Sequence, residues 1–247
     1  MKLIVNGDDF GITSACNQVI LDCWKKGRLT SCSLMVNMPA AGQAARLWKE
    51  NPELSVGIHL CVTIGSPLTN PRTLMKDDGS FDKSVWAEQR PVDLGELETE
   101  LEAQIARFKA LTGRMPDHLD SHHGIERIPG GADLMLKLAR KYNLPMRQFM
   151  NGEPMDLLPY PVPKLILAGS ADQNLLSPQE FVRRIQKGQF AELALHPGVA
   201  DEELNKISGL TFGRKQDVTN LCSDEFGAWL NQEDVELISW NDVMQMQ

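Results

Sequence analysis

A chain of 247 residues with 42% hydrophobic and 23% charged side chains can bury a substantial core and is too apolar to be disordered as a whole. Its formal net charge of -8 repels nucleic acid and anionic membrane surfaces, so neither is an expected partner. Five cysteines (Cys16, Cys23, Cys32, Cys61, Cys222) with no C-x-x-C pair exclude a complete internal disulfide framework and point to a reducing, cytoplasmic setting.

The opening "MKLIVNGDDF" has too short an apolar stretch for a signal-peptide core, and no apolar run is long enough to span a bilayer. "KLIVN" predicts a first strand that runs straight into Asp8 and Asp9. "TSACNQVILDCWKKG" follows as a helix, with Val19, Ile20, Cys23 and Trp24 on one face and Gly27 as a stop. "TSCSLMVN" predicts a second strand, "AGQAARLWKE" a helix ended by Asn51-Pro52, and "LSVGIHLCV" a third strand. Residues 65–93 are irregular and precede the long helix "LGELETELEAQIARFKALTG".

"PDHLDSHHG" then reads as a strand leaving into a turn, "ADLMLKLARKYN" as a helix and "LPMRQFM" as a short strand. Residues 151–175 form a second irregular excursion, after which "SPQEFVRRIQKG" opens with Ser177 and Glu180 at capping-box spacing. "FAELALHPG" is a strand, and a helix around "CSDEFGAWLNQ" precedes "VELISW". Strands alternating with helices predict a parallel sheet, and roughly seven such units favour a single α/β domain over residues 1–247: a deformed (β/α) barrel with parallel strands. An open doubly wound sheet is the alternative, but the G-x-G-x-x-G fingerprint is absent after the first strand.

In a parallel barrel the carboxyl ends of all strands meet on one face. Asp8 and Asp9 end the first strand, His59 ends "SVGIHL", His118 and His122-His123 flank "DHLDSHH", and His196 ends "ELALHPG". Two imidazoles and a carboxylate suit Zn²⁺ or a similar divalent ion, with a second carboxylate free to take a proton from water. Individually these residues have plainer readings: Asp9 caps the next helix, His59 is a structural histidine, His118 bonds a loop, His196 sits in a turn. Consecutive strand residues also face opposite ways, so both aspartates share a site only if the strand breaks there, for which Phe10-Gly11 offers a turn.

The pieces "VNGDDFG", "LTSCSLMVN", "VGIHL", "PDHLDSHHG", "LPMRQ" and "LHPG" stand in one order, and together the sequence resembles the YdjC-like carbohydrate deacetylases over roughly residues 3–198. The resemblance implies a deformed barrel binding Mg²⁺ or Zn²⁺ and hydrolysing the N-acetyl group of an amino sugar. It implies Asp9, His59 and His122 as metal ligands, Asp8 as general base and His196 as general acid. Arg147, at the end of "LPMR", is placed to orient Asp8. The chain departs from its relatives at Gly7, where they show alanine, and after His123, where they continue with further histidines; the second bears on the rim of the site and hence the sugar. Trp86 and Phe81 in the first excursion are candidates to stack on a sugar ring or to form a small core beneath the loop, whereas Phe149 and Met150 are expected to pack. A homodimer is compatible with such a protein. Rival readings are a non-catalytic sugar-binding barrel, a non-haem iron enzyme using the same triad, and a sugar-phosphate isomerase barrel.

Overall fold

Side-chain alternation along the strands sets the architecture of the computed structural model, which describes residues 1–151, 158–167, 176–185, 190–232 and 234–246. The strands are β1 (Lys2–Phe10), β2 (Ser31–Leu34), β3 (Ser55–Leu60), β4 (Leu119–Ser121), β5 (Lys164–Leu167), β6 (Phe190–Leu195) and β7 (Glu236–Leu237). Among the described residues six helices are interleaved with them: α1 (Ser14–Lys25), α2 (Ala41–Glu50), α3 (Lys83–Ala87), α4 (Leu94–Thr112), α5 (Gly131–Tyr142) and α6 (Pro178–Arg184). A C-terminal group completes the set: α7 (Glu202–Ile207), α8 (Phe212–Leu221), α9 (Asp224–Leu230) and α10 (Trp240–Val243).

Every strand pairing is parallel, in the order β4-β3-β2-β1-β6-β5, with β7 beside the start of β1. The sheet curls into a half-barrel with β4 and β5 at its edges, the α/β barrel expected from the alternation. Leu3 and Val5 of β1, Cys32 and Leu34 of β2, Val56, Ile58 and Leu60 of β3, and Leu193 and Leu195 of β6 join the main hydrophobic core against the helices. The alternate residues face the barrel interior and are polar: Asn6 and Asp8, Ser31 and Ser33, Ser55 and His59, His118 and Asp120, Glu192, all buried. Gly57 belongs to that inward set for a steric reason. A Cβ there would meet the His118 ring at 2.3 Å, and that ring stacks on Trp240 of α10 at 4.7 Å between centroids.

The structure adds the short helices α3, α7 and α10 to the sequence reading and differs from it further as follows. "LPMRQFM" is not a strand: Met146 makes one isolated bridge with Leu119, since Pro145 has no N–H to extend the ladder. The excursion at 151–175 carries β5, and its residues 152–157 and 168–175 lie outside the described ones. Helix α8 had no hydrophobic signature because its buried residues include Arg214, Asp217 and Asn220. Among the described residues no helix is long and apolar enough to cross a membrane.

Candidate active site

Asp8 and Asp9 reach the same site because the backbone departs from strand geometry between them. Asp9 has φ +65°, a left-handed conformation that aspartate tolerates better than most residues, and the β1–β2 register slips between Gly7 and Phe10. The slip turns the Asp9 carboxylate to the side already occupied by Asp8 and returns Phe10 to the main core. Thr13, and not Asp9, caps α1 by accepting from the Cys16 amide.

The two carboxylates have different partners. Asp8 accepts from both terminal nitrogens of Arg147, Nη1 to Oδ2 and Nη2 to Oδ1 at 2.7 Å each, and from Asn6 Nδ2 at 2.8 Å. Asp9 Oδ1 pairs with His122 Nδ1 at 2.9 Å and lies 3.2 Å from His59 Nε2, while Oδ2 accepts from Arg214 Nη2 at 2.6 Å. His59 Nδ1 pairs with Asp120 Oδ1 at 2.7 Å, with Ser33 Oγ at 3.2 Å beside it. An ionised carboxylate only accepts, so Nδ1 carries the proton and Nε2 is the nitrogen left toward Asp9.

Behind Asp8, Arg147 also donates to Glu192 Oε1 from Nε (3.0 Å) and Nη2 (2.8 Å), and its Nη2 is 3.0 Å from Asp120 Oδ2. One guanidinium thus joins three buried carboxylates from β1, β4 and β6. His196, after β6, has Nε2 at 3.9 Å from Asp8 Oδ2, and its backbone N–H donates to Asp217 Oδ2 of α8 at 2.9 Å. His118 makes no hydrogen bond to a loop; it lies within the barrel, 3.6 Å from Asp120.

Burial opposes charge throughout the site, and the ion pairs overcome it selectively. Asp8 is lowered by Arg147 despite burial, and Asp9 is held well below the usual carboxylate range by His122 and Arg214. His59 rises well above the ordinary imidazole value, because Asp120, Asp9 and Asp8 outweigh its desolvation. For His122 and His196 desolvation wins and the pKa falls. His123 drops to about 2, through burial and then through His122 and Lys83. Burial raises Glu192 even beside Arg147.

These groups open onto a cavity of about 990 Å³ at the carboxyl ends of the strands. Trp86 of α3 lines it, with its Nε1–H donated to the backbone oxygens of His123 and Gly124 and its ring flanked by His123 (4.9 Å) and Arg127 (4.4 Å). Phe81 is buried in the main core, as is Phe149, whereas Met150 is exposed at the cavity. Sequence reading left Asp120 unassigned and passed over Glu192, Arg214, Asn6 and Ser33. Glu192 had a signal, a single acid inside the apolar strand "FAELAL"; Arg214 had none, on a helix with scattered charges.

One ligand atom each from Asp9, His59 and His122 lie within 4.8 Å of one another, all three residues buried. His59 Nε2 is a buried nitrogen without a hydrogen bond, aligned by a carboxylate on its far side, as imidazole ligands of divalent ions usually are. The donor set of one carboxylate and two imidazoles fits such an ion.

The family model described as YdjC-like protein matches residues 2–232. A carbohydrate deacetylase of Geobacillus stearothermophilus is 35% identical over 97% of this chain and 96% of its own length. One of Listeria welshimeri is 38% identical over 98% of this chain and 100% of its own. Among solved structures, the crystal structure of a "putative cellobiose-phosphate cleavage protein" from Enterococcus faecalis V583 superposes with a TM-score of 0.83, 28% identity and 98% coverage of both chains.

Proposed function

The chain belongs to the YdjC-like protein family, and from that membership we propose that it is a metal-dependent hydrolase removing the N-acetyl group from an amino sugar or short oligosaccharide. The names of the curated relatives support a carbohydrate deacetylase. The observation that carries the reading is the different company of adjacent carboxylates: Arg147 takes both oxygens of Asp8, whereas Asp9 turns one oxygen to two imidazoles and the other to Arg214.

In this reading Asp9, His59 and His122 hold Mg²⁺ or Zn²⁺, and Asp8, Arg147 and His196 act around them. A divalent ion bound there supplies Lewis acidity toward a carbonyl oxygen and makes water a stronger acid. That complements Asp8, which Arg147 keeps ionised but makes a weak base. Arg147 holds the Asp8 carboxylate in one orientation through two parallel bonds, and Asp8 takes a proton from the water that attacks the acetamide carbon. The C–O bond forms; the proton that Asp8 takes from water passes to the neighbouring His196, which is neutral at rest, and His196 delivers it to the amine nitrogen as the C–N bond breaks, releasing acetate and the free amino sugar.

A non-haem iron site would use the same triad, but such sites belong typically to all-β double-sheet folds and this sheet is parallel and helix-covered. The test is elemental analysis of wild type and His59→Ala, paired with acetate release from N-acetylated mono- and disaccharides. We expect stoichiometric metal that is lost in His59→Ala, and metal-dependent acetate release. A wild type that takes up neither Zn²⁺ nor Mg²⁺, or releases no acetate from any of these sugars when loaded, overturns the proposal.

A further inference from the structure

The cavity has one wall built from a single stretch of chain, Ile207 to Arg214, which ends where Arg214 grips Asp9. Phe212 lies in this wall, at the start of α8, with 60% of its surface exposed. It is the exposed aromatic side chain among the described residues, and its ring has no aromatic or cationic partner there. Trp86, the cavity-lining aromatic that the sequence offered for stacking, is covered by His123 and Arg127 and anchored by its N–H. An isolated exposed phenylalanine is unremarkable on an open surface, but this one stands beside Ser208 and Thr211 in a cavity whose floor holds the paired aspartates.

Resting on the deacetylase reading above, we propose that Phe212 is the platform on which a sugar ring of the substrate stacks, so that it sets the preference for a disaccharide over a monosaccharide. A pyranose presents an apolar face of C–H groups with hydroxyls around its edge. An exposed aromatic ring matches the apolar face, and the hydroxyl-bearing Ser208 and Thr211 line the same wall of the cavity. Exposure decides which ring is bound. Phe212 is 60% exposed while Asp8 and Asp9 are buried at the cavity floor, so a ring stacked on Phe212 lies outward from the reacting acetamide and is the neighbouring ring of the substrate. Phe212 makes uniform binding contacts in this role and takes no part in bond breaking, so its loss weakens binding and spares turnover.

The experiment compares metal-loaded wild type, Phe212→Ala and Phe212→Trp on N-acetylglucosamine and N,N′-diacetylchitobiose, by acetate release and by calorimetric binding of each sugar. The expected result is a roughly ten-fold rise in disaccharide KM and Kd for Phe212→Ala with kcat within about two-fold, near wild-type monosaccharide kinetics, and recovery in Phe212→Trp. Disaccharide KM and Kd unchanged in Phe212→Ala, or an equal loss on both sugars carried by kcat, overturns the platform. If wild type binds the disaccharide but releases no acetate, the hydrolase reading fails while the binding comparison still decides the role of Phe212. If wild type binds neither sugar, the platform is overturned as well.

Discussion

Arg147 holds both carboxylate oxygens of Asp8 at 2.7 Å while the same guanidinium contacts Glu192 and Asp120. Removing it leaves three buried carboxylates with only the His59 imidazole, paired to Asp120, to offset them. Arg147→Met is therefore expected to cost about 3–5 kcal/mol of stability, read from the urea midpoint. Arg147→Lys keeps the charge without the fork. It should regain part of the stability while acetate release stays at least ~10-fold below wild type, because a point charge does not fix carboxylate orientation.

The different partners of the adjacent aspartates predict different failures. Asp8→Asn should lower kcat by about 10² to 10⁴ with metal content retained, since in the proposed roles it removes a base. Asp9→Asn should abolish metal uptake, since in the proposed roles it removes a ligand. Elemental analysis beside kinetics separates the two, and equal metal loss in both would sink the assignment of separate roles.

Gly57 gives a prediction about stability. Its missing side chain is the space taken by His118, so Gly57→Ala pushes a methyl group into a buried ring clamped against Trp240. A loss of about 1–3 kcal/mol is expected, seen as a lower Tm. His118→Ala in the same chain should relieve part of that loss, and additive losses in the double variant would show that the clash is not its source.

The neutral histidines make stability fall with acid. His123 has a folded pKa of about 2 against roughly 6.5 unfolded, so below pH 6.5 the unfolded chain takes up a proton that the folded one does not. Its contribution is complete above pH 6.5 and is lost progressively as pH falls toward 2. His123→Asn keeps a residue tolerant of the left-handed φ of +63° and removes the titrating ring. Urea denaturation at pH 7.5 and 5.0 should show a smaller drop for the variant, by on the order of 1 kcal/mol. An unchanged drop would place the acid sensitivity elsewhere.

What the sequence by itself determined is the parallel alternation of strands and helices and the location of chemistry at strand ends. Both are short-range signals: apolar periodicity within a segment, and polar residues where it stops. Asp8, Asp9, His59, His122 and His196 were visible because each interrupts or ends an apolar run, and Arg147 because it closes one. Tertiary structure alone decided how those residues meet. The left-handed turn at Asp9 lets two neighbours share one site, a backbone event that residue type permits but does not dictate. Arg214 reaches Asp9 from 205 positions away, and Glu192 reaches Arg147 from 45. Such ion pairs depend on which faces of distant elements the curled sheet brings together, and buried charges leave no periodic trace because each is paid for by a partner elsewhere in the chain.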